Sequence, residues 1–323
     1  MYSIRNYRRC CDAREHMKKM TKEETLQKII RLKKEKNAVI LAHYYVADEL
    51  QAIADYTGDS FYLSQKAAES KAAVIVFCGV RFMGESAKIL CPDKTVYLPC
   101  ATADCPMAHM ATAEGIQKMR EEADDLAVVC YINSTAELKS LSDVCVTSSN
   151  ALQIVKSLKE ENIYFIPDAN LGRFVQKQCP EKNFYFSGGF CCVHSHLCAE
   201  DVAAARKAHP ECPVLVHPEC REEVTSAADF VGSTKAMIEY AESSEKKAFI
   251  IGTECGILYE LKKRCPDKAF YLLTDGMVCR DMKKITADGV LAALEGRLAP
   301  VELPEDVLKS AAGCLKRMLE AGK

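Results

Sequence analysis

Three sets of reactive or polar side chains recur along this chain at nearly one interval. Cys105, Cys191 and Cys279 stand 86 and 88 residues apart. His43, Tyr131 and His217 stand 88 and 86 apart, each with a second polar residue two places on: Tyr45, Asn133 and Glu219. Ser60, Ser148 and Thr234 repeat the same steps, with Ser233 beside the last. One thiol from each copy is what a three-ligand metal centre on a pseudo-threefold axis requires. Zinc held by three cysteines and a water fits that description. So does an iron–sulfur cluster with three protein ligands, whose remaining iron is open as a Lewis acid for substrate oxygen. None of the three belongs to a local Cys-x-x-Cys knot, so the ordinary zinc-ribbon and ferredoxin spacings are absent.

The polar pairs follow short apolar segments. In an extended chain, residues at i and i+2 share a face, so each pair can point the same way. A polar group at one strand end is an ordinary feature; the same feature in three aligned copies points to one shared site. The hydroxyl residues open helices. There the simple structural reading is an N-cap, which satisfies an orphan backbone N–H. Helix N-termini also carry free N–H groups and partial positive charge, which suit carboxylates and phosphates. Three such ends facing one centre suit substrates with several anionic groups.

The elements that must position these residues repeat as well. Cys91-Pro92-Asp93-Lys94, Cys179-Pro180-Glu181-Lys182 and Cys265-Pro266-Asp267-Lys268 lie 88 and 86 residues apart, and each leads into an apolar segment. First strands are expected at 38–42, 127–130 and 213–216, and second strands at 73–77, 163–166 and 248–251. Third strands follow each Cys-Pro turn. These short β-branched runs have the pattern of buried parallel strands. Helices lie between them, and a further set begins at Ala113, Ala199 and Ala287. Strands alternating with helices imply βαβ units. In an open parallel sheet, ligands bind beyond the carboxyl ends of the strands, which is where the polar pairs fall.

The expected fold is therefore α/β: three homologous αβα-sandwich domains with small three-stranded parallel sheets, in a pseudo-threefold arrangement around one central active site. The expected divisions are an N-terminal extension over 1–20, repeats over 21–108, 109–195 and 196–285, and C-terminal helices over 286–323 that pack back on the array. Helices near 22–36 and 304–320 would cap it or return to the first domain. The cysteines of the Cys-Pro turns are read as structural, as are Cys78, Cys130, Cys145 and Cys255, because cysteine often serves as a small buried hydrophobe.

A chain of 323 residues exceeds one typical core, and 49% hydrophobic residues mark it as globular. A net charge of −2 gives no global attraction to nucleic acid or membrane. No apolar run approaches the length of a membrane span, and the first twenty residues lack the apolar core of a secretory signal. A cytoplasmic location is expected, where 18 cysteines are thiols or metal ligands rather than disulfides.

The motifs together resemble the quinolinate synthase family over most of the chain, from about Ala38 to Ile285. They are His43-Tyr44-Tyr45, Gly79-Val80-Arg81-Phe82-Met83, Cys105-Pro106-Met107-Ala108, Tyr131-Ile132-Asn133-Ser134, Cys191-x-Val193-His194, His217-Pro218-Glu219-Cys220, Gly232-Ser233-Thr234, Gly252-Thr253-Glu254 and Cys279-x-x-Met282-Lys283. The resemblance implies condensation of iminoaspartate with dihydroxyacetone phosphate to quinolinate, phosphate and water in NAD biosynthesis. It also implies a [4Fe-4S] cluster on Cys105, Cys191 and Cys279. Cys191 is preferred to Cys192 because the family's cysteine stands three residues before the histidine, here His194. Tyr45 and Glu219 would be the acid/base pair, and His43 and His217 would orient substrate and share protons. Tyr131 and Asn133 would hold the carboxylates, and Ser60, Ser148, Ser233 and Thr234 the anionic groups. An L-aspartate oxidase or dehydrogenase is the expected transient partner. One departure stands after Cys279, where Arg280-Asp281 replaces the family's more usual proline and asparagine. A diphthamide-synthesis-like radical enzyme would share the three-domain, three-cysteine plan but not the His-x-Tyr, Tyr-x-Asn, His-Pro-Glu series. A non-catalytic zinc or iron–sulfur protein would explain the cysteines alone.

Overall fold

A computed structural model of the chain describes residues 20–321. All but the last residue of the expected N-terminal extension lies outside them. The strands are β1 (Ala38–His43), β2 (Tyr56–Gly58), β3 (Val74–Cys78), β4 (Thr95–Tyr97), β5 (Leu126–Tyr131), β6 (Val144–Val146), β7 (Asn162–Ile166), β8 (Asn183–Phe186), β9 (Val214–Val216), β10 (Phe230–Val231), β11 (Ala248–Gly252) and β12 (Ala269–Leu272). They form three four-stranded sheets in the orders β2-β1-β3-β4, β6-β5-β7-β8 and β10-β9-β11-β12. Every pairing between named strands is parallel. Helices flank each sheet, so the three αβα units expected from the repeat are present. The central strands read as unbroken apolar runs because both faces are covered.

The sheets have four strands, not three. The extra strands, β2, β6 and β10, are two or three residues long and lie at sheet edges. Segments that short carry no period of alternation for a sequence reading to find. Each begins just after an aspartate that plugs the neighbouring central strand. Asp55, Asp143 and Asp229 accept the backbone N–H of Ile40, Val128 and Val214 at 2.8, 2.7 and 2.7 Å.

The Cys-Pro-acid-Lys phrase has a structural task. Its lysine turns back onto the last helix but one and satisfies carbonyls that the helix end leaves without partners. Lys94 donates to Ala67 and Ser70, Lys182 to Leu158 and Glu160, and Lys268 to Ala241 and Ser244. The phrase's cysteines are all buried.

The first two units share one continuous core, while the third sheet packs separate apolar clusters on its two faces. The Glu305–Ala321 helix belongs to the shared core through Ala311, Cys314, Leu315 and Met318. It packs on β6, the Ala136–Ser140 helix and the Arg81–Leu90 helix. It therefore bridges the first two units rather than returning to the first alone. The Ala287–Leu294 helix, aligned with the helices that begin the second and third units, lies on β3 and on the Lys22–Glu35 helix. The third copy of this helix thus covers the first sheet. Gly289 permits the approach: a Cβ there would stand 2.4 Å from the Pro99 carbonyl oxygen. Among the described residues no helix is long and apolar enough to cross a membrane.

Candidate active site

Beyond the carboxyl ends of the three central strands lies a cavity of about 490 Å³. His43, Tyr45 and Ser60 line it from the first unit. Tyr131, Asn133 and Ser148 reach it from the second, and His217, Glu219 and Thr234 from the third. Cys105, Cys191 and Cys279 open on the same space, as does Cys192. Ser233 stands apart: its hydroxyl accepts the Ala236 N–H at 3.2 Å and caps the Thr234–Ser243 helix. The expected N-caps divide accordingly. Asp59, not Ser60, caps the first helix, and Thr234 is the first residue of its helix behind Ser233. Ser148 sits in the turn before the Ala151–Ser157 helix.

Two strand ends use one local device. The backbone N–H of Tyr45 donates to Nδ1 of His43 at 3.2 Å, and that of Glu219 to Nδ1 of His217 at 3.3 Å. With Nδ1 accepting, the proton of each neutral ring lies on Nε2. Burial pushes both imidazoles down to about 3, so they stay neutral near pH 7.

Glu219 is only 4% exposed. Burial alone would raise its carboxyl. Hydrogen bonds from His194 and Tyr131 to its oxygens oppose that effect and hold the carboxyl below its usual range. Tyr131 donates its hydroxyl to Oε1 at 2.6 Å, and Nδ1 of His194 lies 2.6 Å from Oε2. Tyr45 is shifted the other way. Burial and the charge on Glu219 keep its hydroxyl protonated. The cavity thus holds an ionised carboxylate and a protonated phenol, whose proton affinities are pushed far apart.

The three cysteines share an environment. Each is followed by a short 3₁₀ turn: Pro106–His109, His194–His196 or Met282–Lys284. Burial raises all three thiols, Cys279 to about 11. The charge of Cys279 further raises Cys105, and those of Glu219 and Cys105 raise Cys191. In each copy the backbone N–H groups of the second and third residues onward favour the thiolate. These are Met107 and Ala108, Val193 and His194, and Asp281 and Met282. Cys192 is exposed. Cys191, His194 and Glu219 also bring one donor atom each within 4.8 Å of one another, a group able to bind a metal ion.

Sequence reasoning gave no role to His194, Thr253, Glu254 or Lys283, although all four stand in the motifs. Glu254 is fully buried. Its carboxylate accepts the backbone N–H of Cys279 at 3.1 Å and of Gly256 at 2.7 Å, and pairs with Lys283 at 2.9 Å. Lys283 in turn donates to the Tyr45 carbonyl at 2.7 Å. This pair straps the Cys279 loop to the segment bearing Tyr45.

A family model described as Quinolinate synthetase A protein matches residues 27–320. A quinolinate synthase of Caldicellulosiruptor saccharolyticus is 53% identical over 298 residues, covering 92% of this chain and 98% of that protein. One from Caldicellulosiruptor bescii is 52% identical, covering 94% of this chain and 100% of that protein. A third, from Clostridioides difficile, is 46% identical, covering 93% and 98%.

Proposed function

The chain belongs to the quinolinate synthetase A family, and from that premise we propose that iminoaspartate and dihydroxyacetone phosphate condense in its central cavity to give quinolinate, phosphate and two waters. The enzyme is a quinolinate synthase of NAD biosynthesis. The sum of substrates equals the sum of products atom for atom, so the reaction needs no oxidant or reductant. What it needs is proton movement, formation of carbon–carbon and carbon–nitrogen bonds, and exclusion of water from an imine that would otherwise hydrolyse.

The observation that carries this reading is the convergence in one cavity of His43 and Tyr45 from the first unit, Tyr131 and Asn133 from the second, and His217 and Glu219 from the third, beside the three cysteines. Glu219 is the base that takes a proton from the carbon that will form the new bond. Tyr45 donates to the oxygen that leaves or is reduced in charge. His43 and His217, neutral with the proton on Nε2, donate to substrate oxygens and hold them in register. Asn133 and the hydroxyls of Ser60, Ser148 and Thr234 serve the carboxylates and phosphate, with Arg280 adding a cation to the lining. Ser233 acts from behind, by capping the helix that presents Thr234. Tyr131 lines the substrate space and steadies Glu219 with its hydroxyl.

What supports a [4Fe-4S] cluster on Cys105, Cys191 and Cys279 is the chemistry of the donor set. Three half-buried thiols open on one space, burial raises the proton affinity of each, and their thiolate forms require a neighbouring polycation. The paired N–H groups after each cysteine meet the demand of a cluster ligand for hydrogen bonds to sulfur. When bound, the cluster would supply a Lewis-acidic iron for a substrate hydroxyl or carboxylate oxygen. The cytoplasmic setting and an L-aspartate oxidase or dehydrogenase as supplier of the imine belong to the same reading.

The test is an anaerobic assay of the purified, cluster-loaded protein with iminoaspartate and dihydroxyacetone phosphate. Quinolinate and phosphate are expected in equal amounts. Iron-loaded protein that forms no quinolinate overturns the reading, and cleavage of S-adenosylmethionine in its place would favour the radical alternative.

A further inference from the structure

A second group of thiols takes no part in the cavity. Cys145 stands on β6 and Cys314 on the Glu305–Ala321 helix, 169 residues apart in sequence. Both are fully buried. Their sulfurs lie 2.9 Å apart, about 0.9 Å more than the bonded distance in a disulfide. Cys130 is the register partner of Cys145 on β5, but its thiol turns to the Tyr131 carbonyl at 3.5 Å. None of the three lines the cavity.

The packing of the helix brings the two sulfurs together. Ala311, Cys314, Leu315 and Met318 stand at i, i+3, i+4 and i+7, the apolar stripe of an amphipathic helix, and enter the core shared by the first two units. β6 is an edge strand of the second sheet, and this helix covers it. The pair therefore joins that sheet edge to the helix that bridges the two units. Burial holds the Cys145 thiol well above its usual range. The thiolate is the nucleophile, so the pair is unreactive while the helix is seated. Local release of the helix exposes both groups.

We propose that Cys145 and Cys314 form a reversible disulfide, a modification site for low-molecular-weight disulfides such as glutathione disulfide, which locks the Glu305–Ala321 helix onto the second sheet. When the helix lifts, one thiolate attacks a sulfur of the small disulfide and releases one small thiol. As the helix reseats, the other thiolate attacks the mixed disulfide and releases the second. The protein gives up two electrons and two protons, and the small disulfide takes both to become two thiols. In a reducing compartment the pair stays as thiols, and a rise in small disulfides closes the bond. The bond closes a long loop, so it removes much freedom from the unfolded chain. It lies outside the cavity lining, so turnover per iron should not change. The proposal stands apart from the functional reading above.

The experiment exposes folded, cluster-loaded protein to glutathione disulfide without oxygen, alkylates the remaining thiols and digests without reduction. Trypsin frees peptides 140–156 and 310–316, whose only cysteines are Cys145 and Cys314, and peptide 121–139, whose only cysteine is Cys130. The first two should appear as one linked species, two hydrogens lighter than their sum and separated by dithiothreitol. The oxidised protein should unfold about 5 °C above the reduced protein. Cys314→Ala should lose both the linked species and the thermal shift, and keep the wild-type kcat per iron. Cys145→Ala must do the same should the first variant fail to accumulate. Unlinked, alkylated 140–156 and 310–316, recovered after the exposed Cys192 has reacted, overturn the proposal. So does a link from 140–156 to 121–139, a link that forms only in unfolded chain, or a thermal shift that persists in Cys314→Ala.

Discussion

Cys191 and Cys192 are neighbours in sequence with different surroundings. Cys191 is raised by burial, by Glu219 and by Cys105, and has N–H groups two and three residues onward, as Cys105 and Cys279 do. Cys192 is exposed. Replacing Cys191 with serine should abolish both iron retention and quinolinate formation. Replacing Cys192 should leave both close to wild type, as read by iron and sulfide analysis beside the assay. Loss in both variants, or only in the second, would reverse the ligand choice. His43 offers a different test. Its pKa is held at about 3 against 6.5 for an unburied ring. Between those values the unfolded chain binds the extra proton, so stability is full above pH 6.5 and declines as pH falls towards 3. The decline is about 1.4 kcal/mol per pH unit for one ring. In His43→Gln, the slope of the denaturation free energy between pH 6 and 5 should be smaller by about that amount. An unchanged slope would show that His43 titrates as it does in water.

The repeated lysine turn is a claim about elements. Lys182 donates to Leu158 and Glu160 at the end of the Ala151–Ser157 helix. Its replacement by methionine should cost about 1–2 kcal/mol of stability and leave kcat per iron unchanged. A change in turnover would mean that the turn does more than end a helix. The same comparison shows what a sequence can reveal. The triplicated phrase was visible and gave the repeat length, which aligned the polar pairs, the helix-start hydroxyls and the cysteines. The edge strands were not visible, because two or three residues cannot display a period. Yet Asp55, Asp143 and Asp229 recur at the same 88 and 86 intervals and mark where those strands begin. Thr253 was hidden for a related reason. The equivalent positions after β3 and β7 are Gly79 and Pro167, so alignment of the copies gives no polar triplet there. A rule that looks for what is repeated overlooks a residue used once.

At the scale of the molecule, the chemistry is divided among parts that are far apart in sequence. The Glu254–Lys283 pair is one joint between them, since it holds the Cys279 N–H and the Tyr45 carbonyl together. Glu254→Gln keeps the shape but loses the charge that Lys283 faces. It should lower iron retention on dilution under chelator well before it alters secondary structure; iron held as firmly as in wild type would remove the strap from the account. The central claim is that the three units meet in one cavity where a buried carboxylate moves protons for the condensation. Its most direct test is the rate of quinolinate formation per iron in Glu219→Gln beside wild type. The glutamine protein should keep its iron and lose at least about 100-fold in rate. A glutamine variant that forms quinolinate at the wild-type rate per iron would contradict it.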